Sequence, residues 1–125
     1  VSINSMLEID LTGQCCAESV GSRLYSGTGG HKEFVTGAQE SPGGKSILAF
    51  YSTAREDSVS RIVPFFDPGT VVTTSRVDVD YVITEFGVAC LRGRSIRERV
   101  KELANIAHPN FRDYLKSEAE RHMIW

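Results

Sequence analysis

The sequence lacks a strong excess of either charge and any long apolar run. Lys and Arg number 14 against 16 Asp and Glu, a formal net charge of −2, so nothing in the charge favours nucleic acid or an anionic membrane as a partner. The longest apolar segments, such as Ser46–Tyr51, are far shorter than the roughly 20 residues of a membrane-spanning helix. Because the chain opens on Val1 rather than Met, we expect a processed chain or a piece of a longer one.

Cysteine is scarce, and so are arrangements of metal ligands and nucleophiles. Cys15, Cys16 and Cys90 are odd in number and form no Cys-x-x-Cys pair, which argues against a disulfide framework and a zinc site. We expect reduced thiols in a cytoplasmic protein, or in the mitochondrial matrix of a eukaryote. The three histidines are not spaced as metal ligands, and no Gly-x-Ser-x-Gly elbow is present. No histidine lies beside Cys15 or Cys16 in the sequence, so we expect neither a metal nor a thiol nucleophile.

Short β-like segments broken by glycine fill the first 90 residues. Leu7, Ile9 and Leu11 alternate with Glu8 and Asp10, which predicts a half-buried strand. The Gly- and Ser-rich stretch from Val20 to Gly30 predicts a loop, and Asp67-Pro68-Gly69 predicts a turn. Further strands are predicted from β-branched and apolar runs at Ser46–Tyr51, Val59–Phe65, Val71–Thr74 and Val79–Thr84.

The last 30 residues have helical patterns. Ser95 and Glu98 fit a capping box, and an apolar stripe then runs from Ile96 to Ala107. Pro109 ends this helix and can start a second one, whose stripe is predicted at Phe111, Leu115, Ala119 and His122. Strands followed by paired helices predict an α/β fold, a mixed sheet flanked by helices, with its topology left open.

A cluster of glycines, Ser26-Gly27-Thr28-Gly29-Gly30, is the most informative local feature, and we call Ser26–Gly30 the glycine loop. Glycine allows positive φ and a close approach of backbone to ligand. If a helix starts near Gly30, its free amides could hold a phosphate or a developing oxyanion. The spacing matches neither a dinucleotide fingerprint nor a P-loop, and an ordinary turn is the alternative interpretation.

Two charged residues, Lys45 and Glu85, are candidates on local grounds. Lys45 follows a glycine pair and could meet an anion, or could simply be solvated. Glu85 ends an apolar run beside Gly87, where burial would raise its pKa and suit it to acid, base or nucleophilic chemistry. The alternatives for Glu85 are a turn carboxylate or an ion pair with a nearby arginine. Arg61 and Arg76 lie near strand ends and could each bind a phosphate or carboxylate. We expect instead that each forms a surface ion pair with Asp57, Asp78 or Asp80.

Several phrases, taken in order, resemble the acetyl-CoA hydrolase/transferase family, and within it the 4-hydroxybutyrate and butyryl-CoA:acetate CoA-transferases. These phrases are Val1–Gln14, Ser26–Ala38, Gly43–Ile47, Ser60–Pro64, Val72–Arg76, Asp80–Val88, Leu91–Gly93 and Ile106–Arg112. The resemblance spans almost the whole chain. It implies the NagB/RpiA-like CoA-transferase fold, with residues 1–125 as the C-terminal domain of a larger two-domain enzyme.

The resemblance also implies a ping-pong transfer of CoA between an acyl-CoA and a small carboxylic acid. In the family, a glutamate attacks the acyl-CoA and a glutamyl-CoA thioester follows. That glutamate lies upstream of the matching segment, in a Thr/Ser-Glu-Met-Phe/Ile-Ser-Asp-Gly-like phrase. No such phrase occurs in these residues. We therefore expect no nucleophile in this chain and little activity from it alone.

The matching positions carry roles over from the family. The resemblance implies that Gly27, Gly29 and Gly30 contact the CoA thioester region, with the Gly30 amide as oxyanion donor. Lys45 matches a CoA-contacting position. Glu85 matches a glutamate near the active site, without an assigned role. No metal is implied; the N-terminal domain and a second copy of the protein are implied as partners.

His31 and Cys90 depart from the family pattern. His31 stands where Gln or Ser is more usual, and Cys90 stands where Asp or Lys is common. Both departures bear on substrate preference.

Three functions follow as alternatives. The first is the C-terminal domain of a CoA-transferase for acids of the acetate, butyrate or 4-hydroxybutyrate class. The second is a non-catalytic module that binds CoA or another anion, and the third is a hydrolase that passes the acyl group to water. About 300 preceding residues with the glutamate phrase would favour an enzyme over a binding module.

Overall fold

A four-stranded sheet is the centre of the computed structural model, which describes residues 1–125. Three helices and three smaller sheets surround it. The strands are β1 (Ser2–Asn4), β2 (Glu8–Asp10), β3 (Cys15–Cys16), β4 (Ser19–Val20), β5 (Arg23–Leu24), β6 (Ser46–Ala49), β7 (Thr53–Ala54), β8 (Val59–Ser60), β9 (Ile62–Val63), β10 (Tyr81–Thr84) and β11 (Gly87–Cys90). The helices are α1 (His31–Glu40), α2 (Ile96–Ile106) and α3 (Pro109–Arg121). The predicted α/β class, a mixed sheet flanked by helices, is confirmed.

The central sheet has the order β1-β6-β10-β11. Strand β6 pairs in parallel with β1 and β10, whereas β10 and β11 form an antiparallel hairpin. The carboxyl ends of β1, β6 and β10 therefore lie at one edge, which is where open α/β sheets bind ligands. We call it the carboxyl edge.

One hydrophobic core joins the sheets and helices. It includes Ile9 and Leu11 from the N-terminal segment, Leu48 from β6 and Leu103 and Leu115 from the last two helices, all fully buried. Helix α1 packs on β1 and β6, and α2 packs on β11 and α3. None of the three helices combines the length and the apolar character of a membrane-spanning segment.

The helical end follows its sequence signals. The Ser95 hydroxyl accepts from the Glu98 amide at 3.2 Å, and the Glu98 carboxylate accepts from the Ser95 amide at 2.7 Å, so the capping box is confirmed. Pro109 opens α3, and His108 Nδ1 accepts from the Asn110 amide at 3.1 Å. The predicted place of His122 in the buried stripe is wrong, because α3 ends at Arg121 and His122 is exposed.

Strand boundaries differ more from prediction. Val59–Phe65 divides into β8 and β9 in separate sheets, because Arg61 turns its amide to the Ser52 carbonyl and its side chain to the N-terminal segment. Val71–Thr74 forms only a bridge from Thr74 to Cys15. The predicted loop from Val20 to Gly30 contains part of the β4–β5 hairpin.

The half-buried strand predicted around Ile9 is shorter and more buried than expected. The prediction that Asp10 lies on the outward face of this strand is wrong, because the Asp10 carboxylate is buried. Asp10 Oδ1 accepts from the Thr12 amide at 2.9 Å, the Thr12 hydroxyl at 2.7 Å and the Gln14 amide at 3.0 Å. Asp10 therefore closes the turn that joins β2 to β3.

Candidate functional site

The glycine loop leads directly into α1. Gly30 is the N-cap of the helix, with φ −97° and no side-chain cap, and Gly29 has φ +53°, a conformation that favours glycine. The loop is exposed throughout. The local sequence therefore produces the predicted arrangement of a glycine loop followed by a helix N-terminus.

Backbone amides of this loop are free to bind a ligand. The N–H groups of Gly27, Thr28, Gly29 and Gly30 donate to no acceptor within the chain. The N-terminus of α1 adds further unpaired amides and the positive end of the helix dipole. Successive free amides beside a helix N-terminus can hold an anion or stabilise an oxyanion.

The side chain that follows the loop, His31, is buried. Its Nδ1 lies 2.8 Å from Thr74 Oγ1 in a hydrogen bond, and its Nε2 lies 4.0 Å from Cys15 Sγ. Burial lowers the pKa of His31, and the nearby Glu18 carboxylate opposes that shift. Sequence spacing gave no sign of this contact, since Thr74 is 43 residues away along the chain.

Cys15 therefore has a histidine neighbour in the fold, although none lies beside it in the sequence. The contact does not activate the thiol. Burial, together with Cys16 and Glu18, raises the pKa of Cys15 far above its usual value, so the thiolate that a nucleophile requires is not formed. All three cysteines are free thiols.

An apolar groove of about 560 Å³ lies at the carboxyl edge. We call it the edge groove. Residues that follow β1, end β6 and end β10 line it, together with Ala17 and Arg61. Ala17 also connects the groove to the glycine loop, because its carbonyl accepts from Ser26 Oγ at 3.1 Å. The full lining is Ser5, Met6, Leu7, Ala17, Ala49, Phe50, Tyr51, Arg61, Ile83 and Glu85.

Glu85 lies at this groove, in the turn between β10 and β11. Its Oε1 accepts from the Ser52 amide at 2.8 Å. Slight burial acts to raise the pKa of Glu85, but hydrogen bonding from Ser52 outweighs it and the pKa is lowered. The raised pKa expected from the sequence is therefore wrong. Of the two alternatives, the ion pair with an arginine is absent, whereas Glu85 does lie in a turn. The Glu85 side chain is exposed, and the hydrogen bond from Ser52 favours its ionised form.

Arg61 stands in the same groove with its guanidinium held by backbone. Nε donates to the Leu7 carbonyl and Nη2 to the Met6 carbonyl, both at 2.7 Å, and the guanidinium lies 5.6 Å from the Phe50 ring centroid. The expected surface ion pairs of Arg61 and Arg76 are absent. Arg61 thus shapes the groove wall.

Lys45 is placed apart from the other candidates. It is exposed, precedes β6, and its carbonyl accepts from the Ser2 amide at 3.0 Å. Helix α1 runs back from the glycine loop to this point over 10 residues, a length of about 15 Å. The structure therefore brings the glycine loop and Glu85 to the carboxyl edge and leaves Lys45 at the opposite edge.

Glycines before Lys45 have a packing role. Gly43 has φ +68°, and a Cβ on Gly44 would stand 1.8 Å from the Ala38 carbonyl oxygen. The Gly44 amide donates to the Ser41 carbonyl at 2.8 Å and closes the turn from α1 to β6. The turn from α1 to β6 therefore accounts for both glycines, Gly43 and Gly44.

Comparison with known proteins gives a consistent result. The family described as acetyl-CoA hydrolase/transferase C-terminal domain matches residues 1–119. The chain is 56% identical over 121 residues to the succinyl-CoA:cyclohexane-1-carboxylate CoA transferase of Geobacter metallireducens, covering 97% of this chain. It is 53% identical over 121 residues to the 4-hydroxybutyrate coenzyme A transferase of Clostridium kluyveri, again covering 97%.

A solved structure supports the same relationship. The crystal structure of RipA from Yersinia pestis superposes with a TM-score of 0.92 at 46% identity, covering 99% of this chain and 28% of that one. The chain likewise spans 28% of the length of the two curated relatives.

Proposed function

The chain belongs to the acetyl-CoA hydrolase/transferase family as its C-terminal domain, and from this we propose that it supplies the CoA-facing half of a CoA-transferase active site. The whole protein would move CoA between an acyl-CoA and a small carboxylic acid such as acetate, butyrate or 4-hydroxybutyrate. The observation that carries the proposal is the run of free amides from Gly27 to Gly30, in a loop that Ser26 joins to Ala17 of the edge groove.

The reaction uses a glutamate from outside these residues. Its carboxylate attacks the thioester carbonyl and the C–S bond breaks, so that CoA leaves as a thiolate and an acyl-glutamyl anhydride is formed. The thiolate then attacks the glutamyl carbonyl and releases the first acid, which leaves a glutamyl-CoA thioester. The acceptor acid then attacks the glutamyl-CoA thioester, and the same two steps in reverse order give the new acyl-CoA and the free glutamate. Each attack places negative charge on a carbonyl oxygen, which the Gly30 amide would stabilise.

The edge groove supplies the environment for these steps. Its apolar walls suit an acyl chain or the aliphatic part of pantetheine, and they exclude water that would hydrolyse the intermediates. Glu85 would act as an ionised hydrogen-bond acceptor that orients the reacting groups. Its lowered pKa disfavours a role as general acid near neutral pH.

Lys45 would contact CoA only at a distance from the thioester. Its position at the opposite edge allows contact with a far part of a long ligand and excludes contact with the reacting carbonyl. We propose that Lys45 contacts CoA in this way. Lys45→Ala should then raise the KM for acyl-CoA without changing kcat.

Trapping the intermediate tests the proposed function. The full-length protein is incubated with acyl-CoA and then with borohydride or hydroxylamine, and the intact mass is measured. We expect a mass change at one glutamate upstream of this domain, and none in a sample without acyl-CoA. No change at any glutamate would contradict the transferase mechanism.

Acceptor dependence separates a transferase from a hydrolase. A transferase consumes acyl-CoA in proportion to added carboxylic acid and conserves the thioester, whereas a hydrolase releases free CoA without an acceptor. We expect the first result. A non-catalytic module would show neither. The free thiols support a cytoplasmic protein, or a matrix protein in a eukaryote, and we expect the full enzyme to be a homo-oligomer.

A further inference from the structure

The glycine loop is held by hydrogen bonds at both of its ends. Upstream, the Ser26 amide donates to the Glu18 carbonyl at 3.2 Å and Ser26 Oγ donates to the Ala17 carbonyl at 3.1 Å. Downstream, His31 Nδ1 and Thr74 Oγ1 share a hydrogen bond of 2.8 Å. Between these points the loop amides have no partners, so the hydrogen bonds at the two ends determine where those amides point.

Both connections reach one hydrogen-bonded unit, which we call the loop frame: Cys15–Glu18 with Thr73 and Thr74. The Cys15 amide donates to the Thr74 carbonyl at 3.0 Å, and the Thr73 amide donates to the Cys15 carbonyl at 2.8 Å. The Ala17 amide donates to Thr73 Oγ1 at 2.9 Å, and Thr73 Oγ1 donates to Glu18 Oε2 at 2.6 Å. The frame thus holds the two ends of the loop at a set separation.

His31 is the side chain that makes the downstream connection. Gly30 provides no side-chain cap for α1, and the side chains of Thr28, Lys32 and Glu33 form no hydrogen bonds. His31 is only 8% exposed and also contacts Cys15 of the frame. A buried, hydrogen-bonded side chain next to a free amide limits how that amide can rotate.

We propose that His31 is a positioning residue for CoA transfer: by joining the first turn of α1 to Thr74, it holds the Gly30 amide where the oxyanion forms. This inference rests on the proposed function of the glycine loop. His31 contacts no substrate. It acts on the transition state through the adjacent amide, so its loss affects turnover more than CoA binding.

Kinetics of the full-length enzyme test this proposal. His31→Ala is expected to lower kcat by about tenfold to a hundredfold, since small displacements of catalytic groups have effects of that size. The KM for acyl-CoA should stay within about threefold. His31→Asn places a polar atom at the position of Nδ1 and is expected to restore kcat to within about threefold of wild type.

Thr74→Val tests the connection itself and keeps the side-chain volume. It should lower kcat as His31→Ala does, and the double variant should be no slower than the slower single variant, within about twofold, because both remove one interaction. If His31→Ala does not fold, Thr74→Val and His31→Asn carry the test.

Gln39→Ala is the matched control. Gln39 ties the other end of α1 to the Asp78 carbonyl, so its loss weakens the anchoring of the same helix away from the loop. We expect a lower melting temperature with kcat within about twofold of wild type.

Three results would overturn the proposal: wild-type kcat in folded His31→Ala, additive losses in the double variant, or an equal loss in Gln39→Ala. The trapping experiment separates this outcome from failure of the proposed function. A wild-type enzyme that forms no glutamyl thioester refutes the function. One that forms it, with unchanged kcat in His31→Ala, refutes only the role of His31.

Discussion

At the scale of single residues, Gly30 combines an ordinary backbone conformation with a free amide. Its φ of −97° is open to any L-amino acid, and a Cβ there would meet the ring of Phe34 at 3.1 Å. Phe34 is 61% exposed and can move aside. Substitutions at Gly30 therefore test the amide's surroundings without unfolding the helix.

We predict that Gly30→Val in the full-length enzyme lowers kcat by about tenfold to a hundredfold, within the range seen for loss of an oxyanion donor. The branched side chain crowds the amide in the transition state, so the KM for acyl-CoA should change less than kcat. Gly30→Ala, with a smaller side chain, should retain more activity than Gly30→Val. An unchanged kcat in the valine variant would remove Gly30 from the site.

Gly44 is a residue whose importance is structural. We predict that Gly44→Ala lowers the free energy of unfolding by about 2–4 kcal/mol, because the new Cβ would overlap the Ala38 carbonyl oxygen. Gly43→Ala is the control: its Cβ meets open space and only the positive φ is strained, which costs about 1–2 kcal/mol. Urea unfolding of the purified 125-residue chain measures both. Equal losses would contradict the packing argument.

His31 gives a pH dependence of stability with a definite sign. Burial lowers its pKa in the folded chain relative to the unfolded one, so the unfolded state binds the proton more readily. Stability should therefore decline as the pH falls below about 6.5, the ordinary histidine value, and level off below the folded-state pKa. Urea unfolding between pH 7 and pH 5 should show a smaller decline for His31→Asn than for wild type. Equal declines would show that other groups dominate.

At the scale of secondary-structure elements, α2 is attached to the sheet region by a buried arginine. Arg99 Nη1 donates to the Thr12 and Arg76 carbonyls at 3.1 and 2.6 Å, and Nε donates to the Arg94 carbonyl at 3.1 Å. These contacts join the helix to segments 23 and 87 residues away in the chain. The three bonds leave from two different nitrogens of the guanidinium, Nε and Nη1, an arrangement that the single nitrogen of a lysine does not reproduce.

We predict that Arg99→Lys lowers the free energy of unfolding by about 2–3 kcal/mol, since charged hydrogen bonds to buried carbonyls are lost. Arg97→Lys is matched in chemistry and lies on the same helix, but Arg97 is exposed and forms no hydrogen bond or ion pair. Its change should stay within about 0.5 kcal/mol. Similar losses in both variants would show that Arg99 contributes through helix propensity alone.

Elements were predictable where their signals are local. The capping box at Ser95 and the proline at the start of α3 lie within single turns of helix, so the sequence shows them directly. The strand pairings are not local. Strand β2 pairs with β9, which begins at Ile62, and the sequence of neither segment indicates which strand it pairs with. Short strands of two or three residues also carry too few positions for alternation to be recognised.

The candidate site divides in the same way. The glycine loop and its helix were predicted, because glycine spacing and the onset of helix are neighbours in the chain. The contact of His31 with Thr74 and the lowered pKa of Glu85 were not, because they depend on groups 43 and 33 residues away. Electrostatic environment is a property of the folded neighbourhood, and its sign cannot be obtained from adjacent residues.

At the scale of the whole molecule, the chain has its own hydrophobic core. Its 17-residue buried cluster extends from Met6 to Ala119, which supports folding of the 125 residues alone. Exposed apolar side chains remain at Val1, Ile3 and Phe34, at 80, 69 and 61% exposure. These three side chains line one shallow hollow, and a contiguous exposed apolar patch is typical of a contact with further protein, as expected for a domain that spans 28% of its relatives.

We predict that the purified 125-residue chain folds cooperatively and shows no CoA transfer between acetyl-CoA and an acceptor acid. The carboxylate at the edge groove, Glu85, is held by the Ser52 amide with its pKa lowered, which weakens it as a nucleophile, and the family's glutamate phrase is absent from the sequence. Thioester transfer is measured with the full-length protein as positive control. Clear transfer by the isolated chain would place a nucleophile within it, and loss of that activity in Glu85→Gln would identify Glu85 as that group.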